Sequence, residues 1–237
     1  MLLGEQISWD ARCYWYPENS FWLFDSMRDY QKPLSPPICR QFAAGKNMSE
    51  PMVVAFDCET SGLTNDHVIL SIGAVTNQFR YFYREVAWEQ LYVSTEAMKI
   101  NQLDLRLRQG IPIDLVLIHL EGWLREQFPQ MQGHDILPMG FNVGSFDMRM
   151  LRNMYERVKR PNDFPFHYRS IELNSCLMLL GKNKEEFSRD IWKLVKKKFK
   201  TMRLNQPAET HNALADAFFA QIAWNELKKE VAELRAA

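Results

Sequence analysis

Long apolar runs, paired cysteines and a net charge are all missing from this 237-residue chain. No stretch approaches the roughly 18 consecutive apolar residues of a membrane span, so no membrane partner is expected. The N-terminus carries no basic-then-apolar leader, and a cytoplasmic location is the expectation. The four cysteines, Cys13, Cys39, Cys58 and Cys176, contain no C-x-x-C pair, and no histidine stands at zinc-finger spacing. That argues against structural zinc or a disulfide framework and reads as reduced thiols. Twenty-nine Lys plus Arg balance 29 Asp plus Glu, so any attraction to nucleic acid must come from local clusters. Internal repeats and low-complexity segments are also lacking. What is present is apolar content, 46% hydrophobic and 13% aromatic, enough for the core of one catalytic-size domain.

Residues 1–47 stand apart, rich in Trp, Tyr and Pro without a sustained helical or strand period. Three readings stand for this N-terminal extension: an ordered aromatic arm, a loosely docked tail, or sequence upstream of a true start at Met48. From 48 to 237 the pattern is that of a folded domain. MVVAFDCE, HVILSIGAV and FRYFYREV read as three strands of a meander, the first nearly all apolar and therefore central. Residues 96–109 are mixed and predicted helical in part. Pro112 and Asp114 open a helix whose Ile113, Leu117, Leu120, Leu124 and Phe128 recur at helical spacing. DILPMGFN reads as a strand ending at Gly140, with Ser145 as the N-cap of the helix FDMRMLRNMYERV. YRSIEL supplies a further short strand, two helical stretches follow, and a last helix runs from about Ala213 to about Leu234. Antiparallel strands followed by β-α-β-α alternation predict an α/β domain, a mixed five-stranded sheet flanked by helices.

Three places in that scheme carry acids of interest. Asp57 and Glu59 end the first strand and, two residues apart, project from the same face while Cys58 points the other way. Adjacent anions repel unless a cation lies between them, and all-oxygen ligation suits magnesium or manganese. The plain alternative is two exposed acids, each paired with a surface cation. Asp147 falls in the first turn of its helix, where free amides favour negative charge, and at the carboxyl edge where open α/β sheets bind ligands. His211 and Asp216 are five residues apart, roughly 140° around a continuous helix. If Asn212 caps that helix, His211 belongs to the incoming loop and can turn over the site, while Asp216 is fixed on the first turns.

DCET, the FD of NVGSFD, and HNALAD, in that order and spacing, resemble the DEDD superfamily of 3'-5' exonucleases, in the branch with a histidine in the last motif that includes proofreading exonuclease subunits and ribonuclease T. The SGL after the first motif resembles the family's TGL, and HNALADA resembles H-x-A-x-x-D-A. The resemblance covers about residues 52–228 and implies a ribonuclease H-like fold. It implies that Asp57, Glu59, Asp147 and Asp216 hold two divalent cations, Mg2+ or Mn2+, and that His211 is the general base activating the attacking water. Two such ions clamp both oxygens of an in-line phosphoryl displacement, and imidazole titrates near neutral pH. By the same likeness Thr60 and the backbone near Gly62 contact the terminal sugar, and Leu63 wedges against the terminal base.

The expected activity is metal-dependent hydrolysis of single-stranded nucleic acid from its 3' end, DNA ahead of RNA, to nucleoside 5'-monophosphates. A catalytically silent 3'-end-binding module and an endonuclease on the same fold are the alternatives. Intact acids argue against the first; the histidine loop argues against the second. Lys196, Lys197 and Lys198 lie in a basic run with Trp192 and Phe199, and Arg149, Arg152, Arg157, Lys159 and Arg160 surround Tyr155. Basic residues interleaved with rings suit a single-strand groove; solvated helix faces are the alternative.

Overall fold

A computed structural model describes residues 51–101, 110–130, 135–205 and 211–236 of the chain. The N-terminal extension lies outside the described residues, as does much of the helical stretch expected over 96–109, of which Thr95–Asn101 is helix α1.

The apolar segments become strands β1 (Val53–Thr60), β2 (Ile69–Thr76) and β3 (Tyr81–Ala87), followed by β4 (Ile111–Pro112), β5 (Leu137–Gly140) and β6 (Ile171–Glu172). They form one sheet in the order β4-β3-β2-β1-β5-β6. The first three are mutually antiparallel, and β5, β6 and β4 join in parallel. This is the mixed sheet read from the sequence, with one strand more than the five expected. The addition, β4, is two residues long and leaves no period to detect. Every residue of β2 is buried, and β1 is buried on both faces, as central strands require. In β3, nearer the edge, only Phe82 and Val86 are buried.

Parity assigns each residue of β1 to a layer. Val54, Phe56 and Cys58 pack with Ile72, Ala74 and Phe82 against α2 (Ile113–Gln127) and α3 (Asp147–Arg157). Ala55, with Val75 and Met139, faces α4 (Leu173–Leu179), α5 (Lys184–Met202) and α6 (Ala213–Ala236). The spacing in α2 places Leu117, Leu120 and Leu124 in the core, with Ile113 and Phe128 packed at its edge. A buried Glu121 ties α2 to α3, accepting from the Tyr155 hydroxyl at 3.1 Å and from Arg160 Nη2 at 2.9 Å. Among the described residues no helix is long and apolar enough to cross a membrane.

Candidate active site

Because Ala55 faces α6, so do Asp57 and Glu59, two and four residues further along the same face of β1. The start of α6 is set against this face. Asn212 caps the helix: its Oδ1 accepts from the amides of Leu214 at 3.1 Å and Ala215 at 3.2 Å, while its carbonyl accepts from the Asp216 amide at 2.9 Å. Asp216 thereby sits on the first turn, and one carboxylate oxygen from each of Asp57, Glu59 and Asp216 lies within 4.8 Å of the others. A residue without a sequence signal makes this approach possible. Gly73 is the β2 partner of Asp57, and a Cβ built there would lie 2.1 Å from the carbonyl oxygen of Ala213. Only glycine lets the end of α6 rest on the sheet at that point.

Asp147 arrives from the other side of β1. It is the first residue of α3, 3% exposed, and its Oδ1 accepts from the Cys58 amide at 2.9 Å, beyond the Val53–Ala55 stretch of β1 that pairs with β5. The expected Ser145 cap is not formed. Its hydroxyl donates instead to the Asn142 carbonyl at 3.2 Å, and the helix is entered through Phe146 without a side-chain cap. Asn142 has φ of 60°, and the resulting tight turn, closed by the Phe146 amide on the Asn142 carbonyl at 2.9 Å, points Ser145 away from the helix amides.

Three of the four carboxyls are held where negative charge is unfavourable. Burial, then the charges of Asp147, Asp216 and Glu59, push Asp57 well above the usual carboxylate range. Burial lifts Asp147 to about 7 against the bonds it receives from Cys58, and Asp216 to about 6. Groups of this kind are accommodated by protons or by hard cations. The donor set, all carboxylate oxygen on rigid strand and helix ends, fits divalent ions such as Mg2+ or Mn2+, and the domain is read as divalent-metal-dependent.

His211 is exposed and has φ of 58°, in the left-handed region, immediately before the Asn212 cap. It belongs to the incoming loop, as the spacing suggested. Of the three residues assigned to the terminal nucleotide, Thr60 and Gly62 are buried and Leu63 is 71% exposed. The Thr60 hydroxyl donates to the Gly62 carbonyl at 2.9 Å. The imidazole of His67 covers Gly62 so closely that a Cβ there would lie 2.2 Å from the ring. His67, unnoticed in the sequence, plugs the turn beneath Leu63.

The two basic runs separate. Lys198 Nζ lies 3.8 Å from the centre of the Phe79 ring, and Lys197 and Lys198 line an open groove of about 800 Å³ between α5 and α6. Phe79 stands in the β2–β3 turn beyond Thr76, whose partner on β1 is Val54. At about 3.3 Å per residue this is the end of the sheet opposite the acids, so Lys197 and Lys198 do not join the carboxylate site. The arginines of α3 and of the loop after it are engaged in the fold: Arg149 and Arg157 bind the loop after β1, Arg152 lies 3.9 Å over the Phe164 ring, and Arg160, beyond the helix, pairs with Glu121 and Asp163.

Comparison with known proteins places this geometry. No curated protein matches the chain. Among solved structures, E. coli exonuclease I in complex with a dT13 oligonucleotide aligns with a TM-score of 0.52 at 12% identity, over 79% of this chain and 43% of that one. Its complex with a dA16 oligonucleotide gives 0.50 at 13% identity, over 76% and 41%. Cell-death related nuclease 4 gives 0.48 at 11% identity, over 76% and 65%. The chain thus spans less than two thirds of each of these three, and at such identities the exonuclease I likeness is one of fold, the ribonuclease H-like α/β fold that the motifs implied. Residues 52–227 match the model of the 3'-5' exoribonuclease Rv2179c-like domain, and on that match the chain belongs to this family of 3'-5' exonuclease domains.

Proposed function

We propose that the domain removes nucleotides one at a time from the 3' end of single-stranded RNA, releasing nucleoside 5'-monophosphates. The observation that carries this reading is the convergence of Asp57, Glu59 and Asp216 within 4.8 Å, with Asp147 fixed on the neighbouring Cys58 amide. These four carboxylates would hold two divalent ions, magnesium or manganese, which when bound supply charge neutralisation at the phosphate and an acidified water. The choice of RNA departs from the sequence expectation of DNA and is supported by the description of the family as exoribonucleases.

The chain's own groups divide the remaining work. His211, on its loop, takes the proton of the attacking water. Its left-handed backbone costs about 1–2 kcal/mol for a non-glycine residue, the kind of local strain that concentrates at functional sites. Exposed Leu63 lies against the terminal base, and the Thr60–Gly62 turn shapes the seat of the terminal sugar. Lys197 and Lys198 take no part at the cleaved end.

The test is a time course on 5'-labelled single-stranded RNA and DNA of one sequence, with magnesium, manganese or EDTA, beside the Asp57→Ala variant. The expected result is a metal-dependent ladder shrinking from the 3' end, faster on RNA and absent in the variant. Cleavage of a circular strand, or a variant as active as wild type, overturns the reading.

A further inference from the structure

The loop between β1 and β2 carries Leu63, the most exposed apolar side chain among the residues assigned to the terminal nucleotide, and a loop so exposed holds a side chain in place only if its backbone is braced. Its own hydrogen bonds close the ends: the Ser61 amide donates to the Val68 carbonyl at 2.9 Å, and the Val68 amide to Ser61 Oγ at 3.0 Å. The tip, Leu63 to Asp66, is exposed; within it the Thr64 amide donates to His67 Nδ1 at 3.2 Å and the His67 amide to the Thr64 carbonyl at 3.2 Å, and from outside it is held by one face of α3. Arg149 Nη2 donates to the Leu63 carbonyl at 3.0 Å, and Arg149 Nη1 donates to Asn65 Oδ1. One turn on, Asn153 Nδ2 reaches the same Asn65 oxygen at 3.3 Å. A further turn on, Arg157 Nη2 donates to the carbonyls of Asn65 at 3.0 Å and Asp66 at 3.2 Å.

Residues 149, 153 and 157 form an i, i+4, i+8 row, a single stripe along the helix. The same helix begins at Asp147, whose carboxylate is anchored to β1. One rigid element therefore fixes both an acid of the cleavage site and the backbone of Leu63. A guanidinium suits this task because its planar fork binds two acceptors at once, which an ammonium on a flexible stem does not reproduce.

We propose that Arg149 and Arg157 are positioning residues that set the distance between the terminal base and the scissile phosphate by bracing the Leu63 loop to α3. They act through Leu63 and touch neither phosphate nor metal. The inference rests on the proposed reading that Leu63 meets the terminal base. It predicts a cost that is largest on substrates that have that base.

The experiment compares wild type, Leu63→Ala, Arg149→Ala/Arg157→Ala and Arg149→Lys on two RNA strands, one ending in a normal nucleotide and one in an abasic residue. The double variant is expected to lose about tenfold or more in kcat/KM on the normal end, because misplacements of about an ångström carry losses of that order or greater. On the abasic end its loss should be at least about fivefold smaller, since only the base contact is missing there, and Arg149→Lys, which keeps Arg157, should show an intermediate loss on the normal end. Hydrogen exchange on the substrate-free double variant is a second readout. The amides of Ser61, Thr64, His67 and Val68 should exchange at least tenfold faster, with β2 protection unchanged. Equal losses on both ends would mean that the arginines serve the phosphate chain or the fold, and unaltered exchange would mean that they do not brace the loop. Either overturns the inference while the exonuclease reading stands. If wild type leaves the normal end uncut, the reading and the inference fall together.

Discussion

Asp147 carries two tasks that a single atom change separates. Its carboxyl is 3% exposed, and burial lifts it from the usual 3.8 to about 7. At 1.36 kcal/mol per pH unit, that interval corresponds to about 4 kcal/mol by which the metal-free fold disfavours the ionised side chain. The folded value lies above the unfolded one, so the native state holds more protons between about pH 4 and 7. Stability of the metal-free protein therefore falls as pH rises through this window, and below pH 4 both states are protonated. Asp147→Asn keeps an oxygen to accept the Cys58 amide and never ionises. In urea unfolding with EDTA at pH 8, the variant should be more stable than wild type by about 2–4 kcal/mol, an advantage shrinking towards zero at pH 4. Millimolar magnesium should narrow the gap at pH 8 by stabilising wild type more than the variant, and cleavage by the variant should be lost. A variant no more stable than wild type at pH 8, or an advantage that does not vary with pH, would refute the argument that the site opposes its own charge until a cation arrives.

Three further outcomes follow from the geometry. His211→Ala should lower kcat by about two to four orders of magnitude while the manganese affinity, read by calorimetry, stays within about twofold; full activity would remove His211 from the mechanism. Gly73→Ala forces a methyl group against the Ala213 carbonyl, so it should destabilise the fold by about 1–3 kcal/mol and weaken manganese binding through displaced Asp216, and a variant with native metal affinity would show that α6 has room to move. Ala at Lys196, Lys197 and Lys198 together should leave kcat/KM on a dinucleotide unchanged, since Lys198 sits over Phe79 at the far end of the sheet; a large loss would place that basic run beside the acids after all.

What the sequence disclosed follows the range over which its signals act. The layering of β1 and β2, the register of α2 and the Asn212 cap rest on local periodicity and on a side chain bonding two or three residues ahead, and all were readable. So was the pairing of Asp57 with Glu59, because strand parity is a local rule. Ser145 has the composition of a cap, but the turn at Asn142, with its left-handed backbone, redirects it. The two-residue β4 has no period. Gly73, His67 and the arginine row act only on partners distant in the chain: Gly73 against Ala213, Arg149 and Arg157 against residues 63–66. Nothing within a window of neighbouring residues distinguishes a glycine under a helix end from a glycine in a loose strand. Likewise, an arginine that binds carbonyls reads like one that binds phosphate, which is how a basic stretch on α3 came to resemble a groove.

The alternation along β1 also bears on how this domain tolerates change. Inserting one residue between Ala55 and Asp57 would leave every motif spelled as before, with acids, histidine and glycines all intact. Yet the strand would rotate Asp57 and Glu59 by half a turn into the apolar layer of Leu117, Met150 and Phe166, and deliver Cys58 to Asp216. For this chain the reading frame of the strand is as much a part of the active site as the letters, and indels in β1 should be purged even where substitutions are allowed.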